Sequence, residues 1–402
     1  MTTPYSRRSF LTGVVATGLV SAGATFLLPG GRTRSKSLDG RPRLCTGTDL
    51  TGARAAVIGM WNEAHPDATV DLHEVPGGSR AERDAMVERI RNGAVDIVNL
   101  DIVDIREFAK EGYLQQVRLP TRTYFPAVEQ VHRVAPDAER YWAVPFNSDV
   151  GMLFSRVTAG LELRRPLLPQ VIRRDARGVA RFVGQLLPDT ENDTEAFVVN
   201  VLEHALSTDA GILAADGTVS DDPGRWQDAL APLRNAVLHN DVVRARNEED
   251  TRNLFEAGLT HMRNWPARYR GLRHQVDLLP LPAGILGGQS LALVANAANV
   301  ETSLEFIRFA TSEAAQRVTA AHGLAPALTH AYDDPLLLQA MPHLGRVQRA
   351  LEQAVPRPTH RRYRAFAGAV RRHVLPFLGQ PDGRLTGAFT DEITNTLDPG
   401  RR

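Results

Sequence analysis

The chain of 402 residues is poor in cysteine, in lysine and in net charge. Its single cysteine, Cys45, cannot form an intramolecular disulfide, which excludes the cysteine-rich zinc and iron–sulfur frameworks. Lysine occurs only at Lys36 and Lys110, and 47 basic side chains balance 46 acidic ones to leave a formal net charge of +1. A chain with this balance has no global field that attracts nucleic acid or an anionic membrane, so we expect neither as a partner.

Long hydrophobic runs are also lacking. The weakly apolar stretch of residues 13–28 is shorter than the roughly 20 residues that a membrane-spanning helix needs. It follows Ser6-Arg7-Arg8-Ser9-Phe10-Leu11, which is typical of a twin-arginine export signal. We therefore interpret residues 1–43 as a twin-arginine-type signal and linker, with an ordinary tail and an accidental arginine pair as the alternative. The signal predicts an extracytoplasmic protein, held at the membrane if the signal stays uncleaved.

Catalytic and lipidation motifs are lacking as well. The sequence contains no H-E-x-x-H, G-x-S-x-G or GxxxxGK[ST] motif, so we expect no enzyme, no metal and no cofactor. A secreted glycoside hydrolase stays open as a minor alternative, because it needs only two suitably spaced carboxylates. Arg43 stands where a lipobox needs a small or apolar residue, so we expect Cys45 to be a buried strand residue without a lipid.

The first third of the chain alternates between strand and helix patterns. Residues 68–75 predict a strand, residues 79–92 a helix with a capping box formed by Ser79 and Glu82, and residues 95–100 a second strand. Asp101 follows that strand and is placed at its carboxyl end, where open α/β sheets bind ligands. This order predicts parallel α/β construction, and the segments after Gly323 predict a largely helical C-terminal part.

An ordered series of segments carries a family resemblance. The most specific is Trp142-Ala143-Val144-Pro145-Phe146-Asn147-Ser148-Asp149-Val150-Gly151-Met152-Leu153-Phe154. It resembles the first hinge crossing of the extracellular solute-binding proteins of ABC importers, in the sugar-binding branch that includes maltose-binding protein. Further similar segments are residues 46–52, 61–66, 96–101, 107–114, 255–266, 287–293, 310–316 and 357–363.

The resemblance implies an α/β fold of the two-lobed periplasmic-binding-protein type, with an interlobe cleft. The N-terminal lobe is expected to comprise residues 44–147 and about 262–310, and the C-terminal lobe about 150–258 and about 312–402. The implied function is capture of a di- or oligosaccharide by hinge closure and its delivery to an ABC permease, by a monomer. A solute sensor or scaffold that keeps the fold without a transport role is the main alternative, motivated by the atypical residues 158–181.

The resemblance also implies a set of ligand-binding residues that supply carboxylates, amides, a stacking ring and close backbone approach. They are Asp49, Asp101, Asn147, Asp149, Glu195, Trp265, Gly287, Gly288 and Arg357. Each also has an ordinary structural interpretation. The strand-end aspartates can cap helices, Trp265 can be core, Asp149 and Arg357 can form ion pairs, and the two glycines can form a plain turn.

Overall fold

The computed structural model describes residues 40–75, 79–118, 122–135, 138–156, 163–165, 167–172, 178, 180–188, 195–214, 216–273 and 275–397. The predicted twin-arginine segment and half of the atypical residues 158–181 lie outside these residues. The chain divides into two compact units. Unit 1 contains the residues up to Ser148 together with Gly288–Gln348, and unit 2 contains Asp149–Gly287 together with the residues from Arg349.

Strands and helices alternate up to Tyr141, and the strand, helix and strand predicted within residues 68–100 are confirmed. The elements up to Val150 are β1 (Arg43–Gly47), α1 (Ala53–Ala64), β2 (Asp71–Val75), α2 (Ser79–Arg91), β3 (Ile97–Asp101), α3 (Ile105–Lys110), β4 (Val117–Arg118), α4 (Pro126–His132), β5 (Arg140–Tyr141) and β6 (Val144–Val150). The middle of the chain continues with β7 (Met152–Ser155), α5 (Leu168–Val171), β8 (Phe182–Gln185), α6 (Glu195–Thr208), α7 (Pro223–Leu238), β9 (Val242–Ala245), α8 (Glu248–Glu256), β10 (His261–Asn264), β11 (Asp277–Pro280) and β12 (Leu286–Leu293).

The last part is helical, in agreement with the sequence prediction. It comprises α9 (Val300–Ala310), α10 (Glu313–Ala321), α11 (Pro335–Ala340), α12 (Leu344–Glu352), α13 (Tyr363–Gly379) and α14 (Gly387–Leu397). On α9, Phe306 and Ile307 are buried on one face, whereas Glu301 at its start is exposed. This apolar face is the helical periodicity that the sequence shows.

A five-stranded sheet organises unit 1 in the order β2-β1-β3-β12-β6. Strand β1 pairs in parallel with β2 and with β3, whereas β12 pairs antiparallel with β3. Cys45 lies in β1 and is fully buried, as expected, and burial raises the pKa of its thiol to about 11. Because β1 and β3 are parallel neighbours, the two strands end at the same edge of the sheet, β1 with Gly47 and β3 with Asp101.

A second five-stranded sheet organises unit 2 in the order β11-β7-β10-β8-β9. Strand β7 is antiparallel to β10 and β11, and β8 is parallel to β10 and β9. Helix α6 packs against this sheet with a buried run that includes Phe197, Val201 and Leu202. No helix of the described residues is long and apolar enough to cross a membrane.

The unit boundaries differ from those expected at about residues 262 and 311. The chain passes between units at residues 148–149, 287–288 and 348–349. The reason is strand pairing. Strand β10 lies at the expected boundary near residue 262, but it is held between β7 and β8 of the second sheet. The crossing takes place within β12, which pairs with β3 of the first sheet.

The plain turn that stayed open as an interpretation of Gly287 and Gly288 is wrong. Strand β12 begins at Leu286, so Gly287 and Gly288 are strand residues. Gly288 has a φ of 126°, and a Cβ there would collide with the carbonyl oxygen of Asn147 and lie 3.0 Å from the Cα of Ser148. Glycine is required at this position because the neighbouring backbone leaves no space for a side chain and φ is positive.

Candidate functional site

Asp49 lies in the loop after β1, at the edge of the first sheet. Its Oδ1 accepts hydrogen bonds from the backbone N–H and the hydroxyl of Thr51 at 2.8 and 2.6 Å, and its Oδ2 accepts from the N–H of Arg54 at 2.8 Å. Burial opposes ionisation, but the charge of Arg54 and the hydrogen bonds from Thr51 outweigh it and lower the pKa of Asp49. Asp49 therefore holds the first turn of α1, the structural role that the sequence left open.

Asp101 occupies the equivalent position at the end of β3. Its Oδ1 accepts a hydrogen bond from the N–H of Val103 at 3.1 Å, which orders the turn before α3. The side chain is partly exposed, so a carboxylate oxygen can still accept from a ligand.

Glu82 is an acidic residue of this edge that sequence reasoning assigned only to a capping box. A Cβ added to Gly47 would collide with the carboxylate of Glu82, so this carboxylate lies over the end of β1. Glycine at position 47 makes room for it. The sequence signal for this position is that Glu82 lies in the first turn of α2, which follows β2. Because β2 is parallel to β1, the carboxyl ends of both strands lie at the same edge of the sheet.

Arg54 lies below these carboxylates and is almost fully buried. Its Nη1 donates to the carbonyl of Gly47 at 2.9 Å and its Nη2 donates to Gln289. The amide oxygen of Asn99, in the orientation that satisfies its neighbours, accepts from Nε at 3.0 Å. A buried cation beneath three acids, Asp49, Glu74 and Glu82, holds the strand ends in place and balances their charge.

Asn147 is the amide of unit 1 that the sequence singles out in the first crossing. Its side chain is 5% exposed, and no donor in the described part of the chain reaches its Oδ1. Buried amide oxygens are ordinarily hydrogen-bonded, so this atom is an acceptor that a ligand hydroxyl or a water would satisfy.

Trp265 directly follows β10 in unit 2 and is held on three sides. The guanidinium carbon of Arg263 lies 4.1 Å from the ring centroid, and the indole Nε1–H donates to Glu248 Oε1 at 3.1 Å. A Cβ on Gly287 would lie 2.9 Å from Trp265 Cζ3, so this glycine packs against the ring edge. The indole is partly exposed, and no ring of the described residues stacks on it. Arg263 therefore covers one face of an indole that keeps part of its surface exposed.

Asp149 lies beside the same ring. A Cβ on Gly287 would approach the Cβ of Asp149 to 3.3 Å, and the carboxylate accepts the N–H of Val150 at 3.2 Å. Burial raises the pKa of Asp149 to about 7, against the opposing effects of that hydrogen bond and of the charge on Arg263. The hinge salt bridge that the sequence left open does not occur among the described residues.

Glu195 and Arg357, expected as separate ligand contacts, bind each other within unit 2. Arg357 Nη1 donates to Glu195 Oε1, and the hydroxyl of Tyr363 donates to the same oxygen at 2.6 Å. The Arg357 side chain is buried, whereas the Glu195 side chain keeps some exposure. This ion pair presents a carboxylate of fixed orientation at the start of α6.

The structure thus groups the nine predicted residues by unit. Asp49 and Asp101 share the strand-end edge of unit 1, where Glu82 joins them, and Asn147 contacts Gly288. In unit 2, Asp149 and Gly287 surround Trp265, while Glu195 pairs with Arg357. Among the described residues, no cluster of histidine, cysteine and carboxylate side chains could hold a metal ion. The chemistry available is hydrogen bonding and ring stacking.

Comparisons with known proteins identify the family of the chain. The family model for bacterial extracellular solute-binding protein matches residues 47–317. A curated relative from Deinococcus radiodurans, described as a probable ABC transporter-binding protein, is 24% identical over 329 residues, covering 72% of this chain and 76% of its own.

Solved structures of similar fold include two sugar-related receptors. Maltose-bound MalE3 of T. maritima aligns with a TM-score of 0.73 and 22% identity over 89% of this chain and 98% of its own. The GacH receptor of Streptomyces glaucescens, solved unliganded and with acarbose, aligns with a TM-score of 0.73 and 18% identity over 91% of this chain and all of its own (100%). The expected α/β fold of the maltose-binding type is confirmed.

Proposed function

Because the chain belongs to the bacterial extracellular solute-binding protein family, we propose that it captures a carbohydrate outside the cytoplasm and delivers it to an ABC permease. The observation that carries the proposal is the environment of Trp265. The indole is partly exposed, Arg263 lies over one face of it, and its N–H and its edge are held by Glu248 and Gly287. We assign the opposite face to a flat apolar partner. The C–H face of a pyranose ring is such a partner.

Polar groups near the ring and at the first sheet supply the second part of sugar recognition. Asp149 lies beside Trp265, and Asp101, Glu82 and Asn147 offer acceptors in unit 1. Sugars carry many hydroxyl donors, so charged and amide acceptors give directional hydrogen bonds that stacking lacks. The structurally similar receptors were solved with maltose and with acarbose, which fits a di- or oligosaccharide as the ligand class.

In the proposed mechanism the ligand shifts the equilibrium between an open and a closed arrangement, because it binds the closed arrangement better. Hinge closure of this kind is a general device of periplasmic binding proteins. The permease then recognises the liganded form. We propose that the protein acts as a monomer without catalytic activity, and that the twin-arginine segment Ser6–Leu11 directs its export.

The test is a thermal-shift screen of residues 41–402 against mono-, di- and oligosaccharides. A sugar at about 100 times its Kd stabilises the folded state by about 2.7 kcal/mol, which raises the melting temperature measurably. We expect a di- or oligosaccharide to produce this shift and Trp265→Ala to abolish it. Tyr113→Ala is the matched control, since this half-buried ring of unit 1 packs against Phe108 and Arg91 and is not among the proposed ligand contacts.

The screen also separates the alternatives. A sugar shift that survives Trp265→Ala would contradict the assignment of the ring. The absence of any shift with sugars would contradict the carbohydrate proposal and favour a non-sugar ligand or a solute sensor. Turnover of a glycosidic substrate in the same samples would restore the hydrolase alternative.

A further inference from the structure

A buried ion pair lies behind Trp265 and has no part in the proposed ligand contacts. Arg263 Nε and Nη2 donate to the two carboxylate oxygens of Glu203, both at 2.7 Å, and Nη1 lies 3.5 Å from Gln185 Oε1. The two side chains are 1% and 2% exposed. A bidentate pair of this geometry fixes the plane of the guanidinium as well as its position.

The guanidinium lies over the indole. The guanidinium carbon lies 4.1 Å from the centroid of Trp265, the shortest cation-to-ring separation among the described residues. The stacking of a guanidinium on an indole is attractive. Since Arg263 covers one face of the ring, the orientation of Arg263 determines the plane in which the other face is presented.

Glu203 connects this assembly to two segments at which the chain passes between units. Its Oε1 accepts the N–H of Ile285 at 3.2 Å, two residues before Gly287. A Cβ on Gly151, two residues after Asp149, would collide with the same carboxylate. The two segments are joined by a backbone hydrogen bond of 3.2 Å from Gly151 N–H to the carbonyl of Ile285.

We propose that Glu203 and Arg263 are positioning residues that fix the Trp265 ring relative to the connecting segments at Gly151 and Ile285. Glu203 acts through Arg263, because it contacts the guanidinium and both segments. The proposal rests on the proposed function in one respect, namely that Trp265 contacts the ligand. The position of the ring itself is measurable without any ligand.

The first measurement is ¹⁹F NMR of the ligand-free protein labelled with 5-fluorotryptophan. The chain has four tryptophans, and Trp265→Phe assigns the resonance of interest. We expect Glu203→Gln to shift or broaden the Trp265 resonance and to leave the other three in place. The matched control is Asp96→Asn, which weakens the buried-carboxylate pair with Arg43 in unit 1 and should not move the Trp265 resonance.

The second measurement is the Kd for the sugar identified by the thermal-shift screen. Glu203→Gln is expected to weaken binding about tenfold, whereas Asp96→Asn should stay within about twofold of the unmodified protein. An unmoved Trp265 resonance in folded Glu203→Gln, or an unchanged Kd for a sugar that needs Trp265, overturns the proposal.

A third variant covers a failure of Glu203→Gln to fold. Arg263→Lys keeps the buried charge and removes the planar group, so the Trp265 resonance should move and sugar binding should weaken. The same resonance and the same Kd in Arg263→Lys overturn the proposal. If no sugar binds, the proposed function fails, while the ligand-free spectra still decide whether Glu203 positions the ring.

Discussion

The two units prepare their candidate residues in different ways. In unit 1, Asp49 and Asp101 are oriented by backbone N–H groups two to five residues further along the chain. In unit 2, Trp265 and Arg263 are oriented by side chains 17 and 60 residues away, and Arg357 by one 162 residues away. The first site is therefore built by turn chemistry and the second by tertiary ion pairs. Breaking a buried ion pair of unit 2 should accordingly cost more stability than removing a turn contact of unit 1.

The largest expected effect compares one ion pair from each unit. Arg263→Met leaves the buried Glu203 carboxylate without its partner, so we expect a loss of about 3–5 kcal/mol in the free energy of unfolding. Arg43→Met should cost only about 1 kcal/mol, because the Arg43 side chain is 30% exposed and Asp96 keeps donors from Ala298 and Asn299. Urea unfolding of both variants measures the difference, and equal losses would contradict the distinction between the units.

The next effect concerns two adjacent glycines, one in each unit. Gly288→Ala forces a side chain into positive φ against the backbone of Asn147 and Ser148, so we expect a loss of about 2–3 kcal/mol. Gly287→Ala meets the Trp265 ring instead, and a side chain can move. It should cost about 1 kcal/mol in stability and weaken sugar binding. Thermal unfolding measures the stability of both variants, and titration with the sugar measures its affinity. A larger stability loss in Gly287→Ala than in Gly288→Ala would contradict the prediction.

Two aspartates, one from each unit, should give opposite pH dependences of stability. Burial alone would raise the pKa of Asp96, but hydrogen bonds from Arg43 and Asn299 outweigh it and lower the pKa to about 2. Asp96 therefore contributes about 2 kcal/mol above pH ~4, and this contribution is lost as the pH falls towards 2. Asp149, with a pKa raised to about 7, stabilises the folded state when protonated, so its contribution disappears as the pH rises from about 4 to 7.

The variants Asp96→Asn and Asp149→Asn separate the two contributions. Asp149→Asn should flatten the decline in the free energy of unfolding between pH 4 and 7, by an amount on the order of 3 kcal/mol. Asp96→Asn should flatten only the acid limb. Urea unfolding at pH 3, 5 and 7.5 provides the measurement, and a decline between pH 5 and 7.5 that persists in Asp149→Asn would refute the role given to that carboxyl.

What could be predicted from sequence follows the same division between local and distant contacts. Three features could be predicted from the sequence, because periodicity and turn residues are local signals. They are the order of strands and helices, the burial of Cys45 and the position of Asp101 at a strand end. The Glu195–Arg357 pair could not be predicted, because no pattern in the sequence indicates that these two residues meet. A weak signal existed for the other pair: Glu203 interrupts an apolar helix and Arg263 a buried strand.

The unit boundaries and the position of Glu82 were missed for a related reason. Strand β10 looked like a crossing, but its pairing with β7 and β8 keeps it in the second sheet. The spacing of Ser79 and Glu82 fitted a capping box, yet the carboxylate of Glu82 lies over Gly47 of a different strand. In both cases the position of the residues is determined by contacts with a distant segment, and the spacing of residues within one helix or strand does not reveal such contacts.

The smallest effect tests whether Asp49 does more than hold its helix. Asp49→Ala removes acceptors for the N–H groups of Thr51 and Arg54 and should cost about 1 kcal/mol in stability. Asp49→Asn keeps an amide oxygen as acceptor and should recover most of that loss, since asparagine caps helices about as well as aspartate. If the carboxylate serves only the helix, Asp49→Asn binds sugar like the unmodified protein. A more than fivefold rise in Kd for Asp49→Asn, with the stability nearly unchanged, would show that the carboxylate of Asp49 also contacts the ligand.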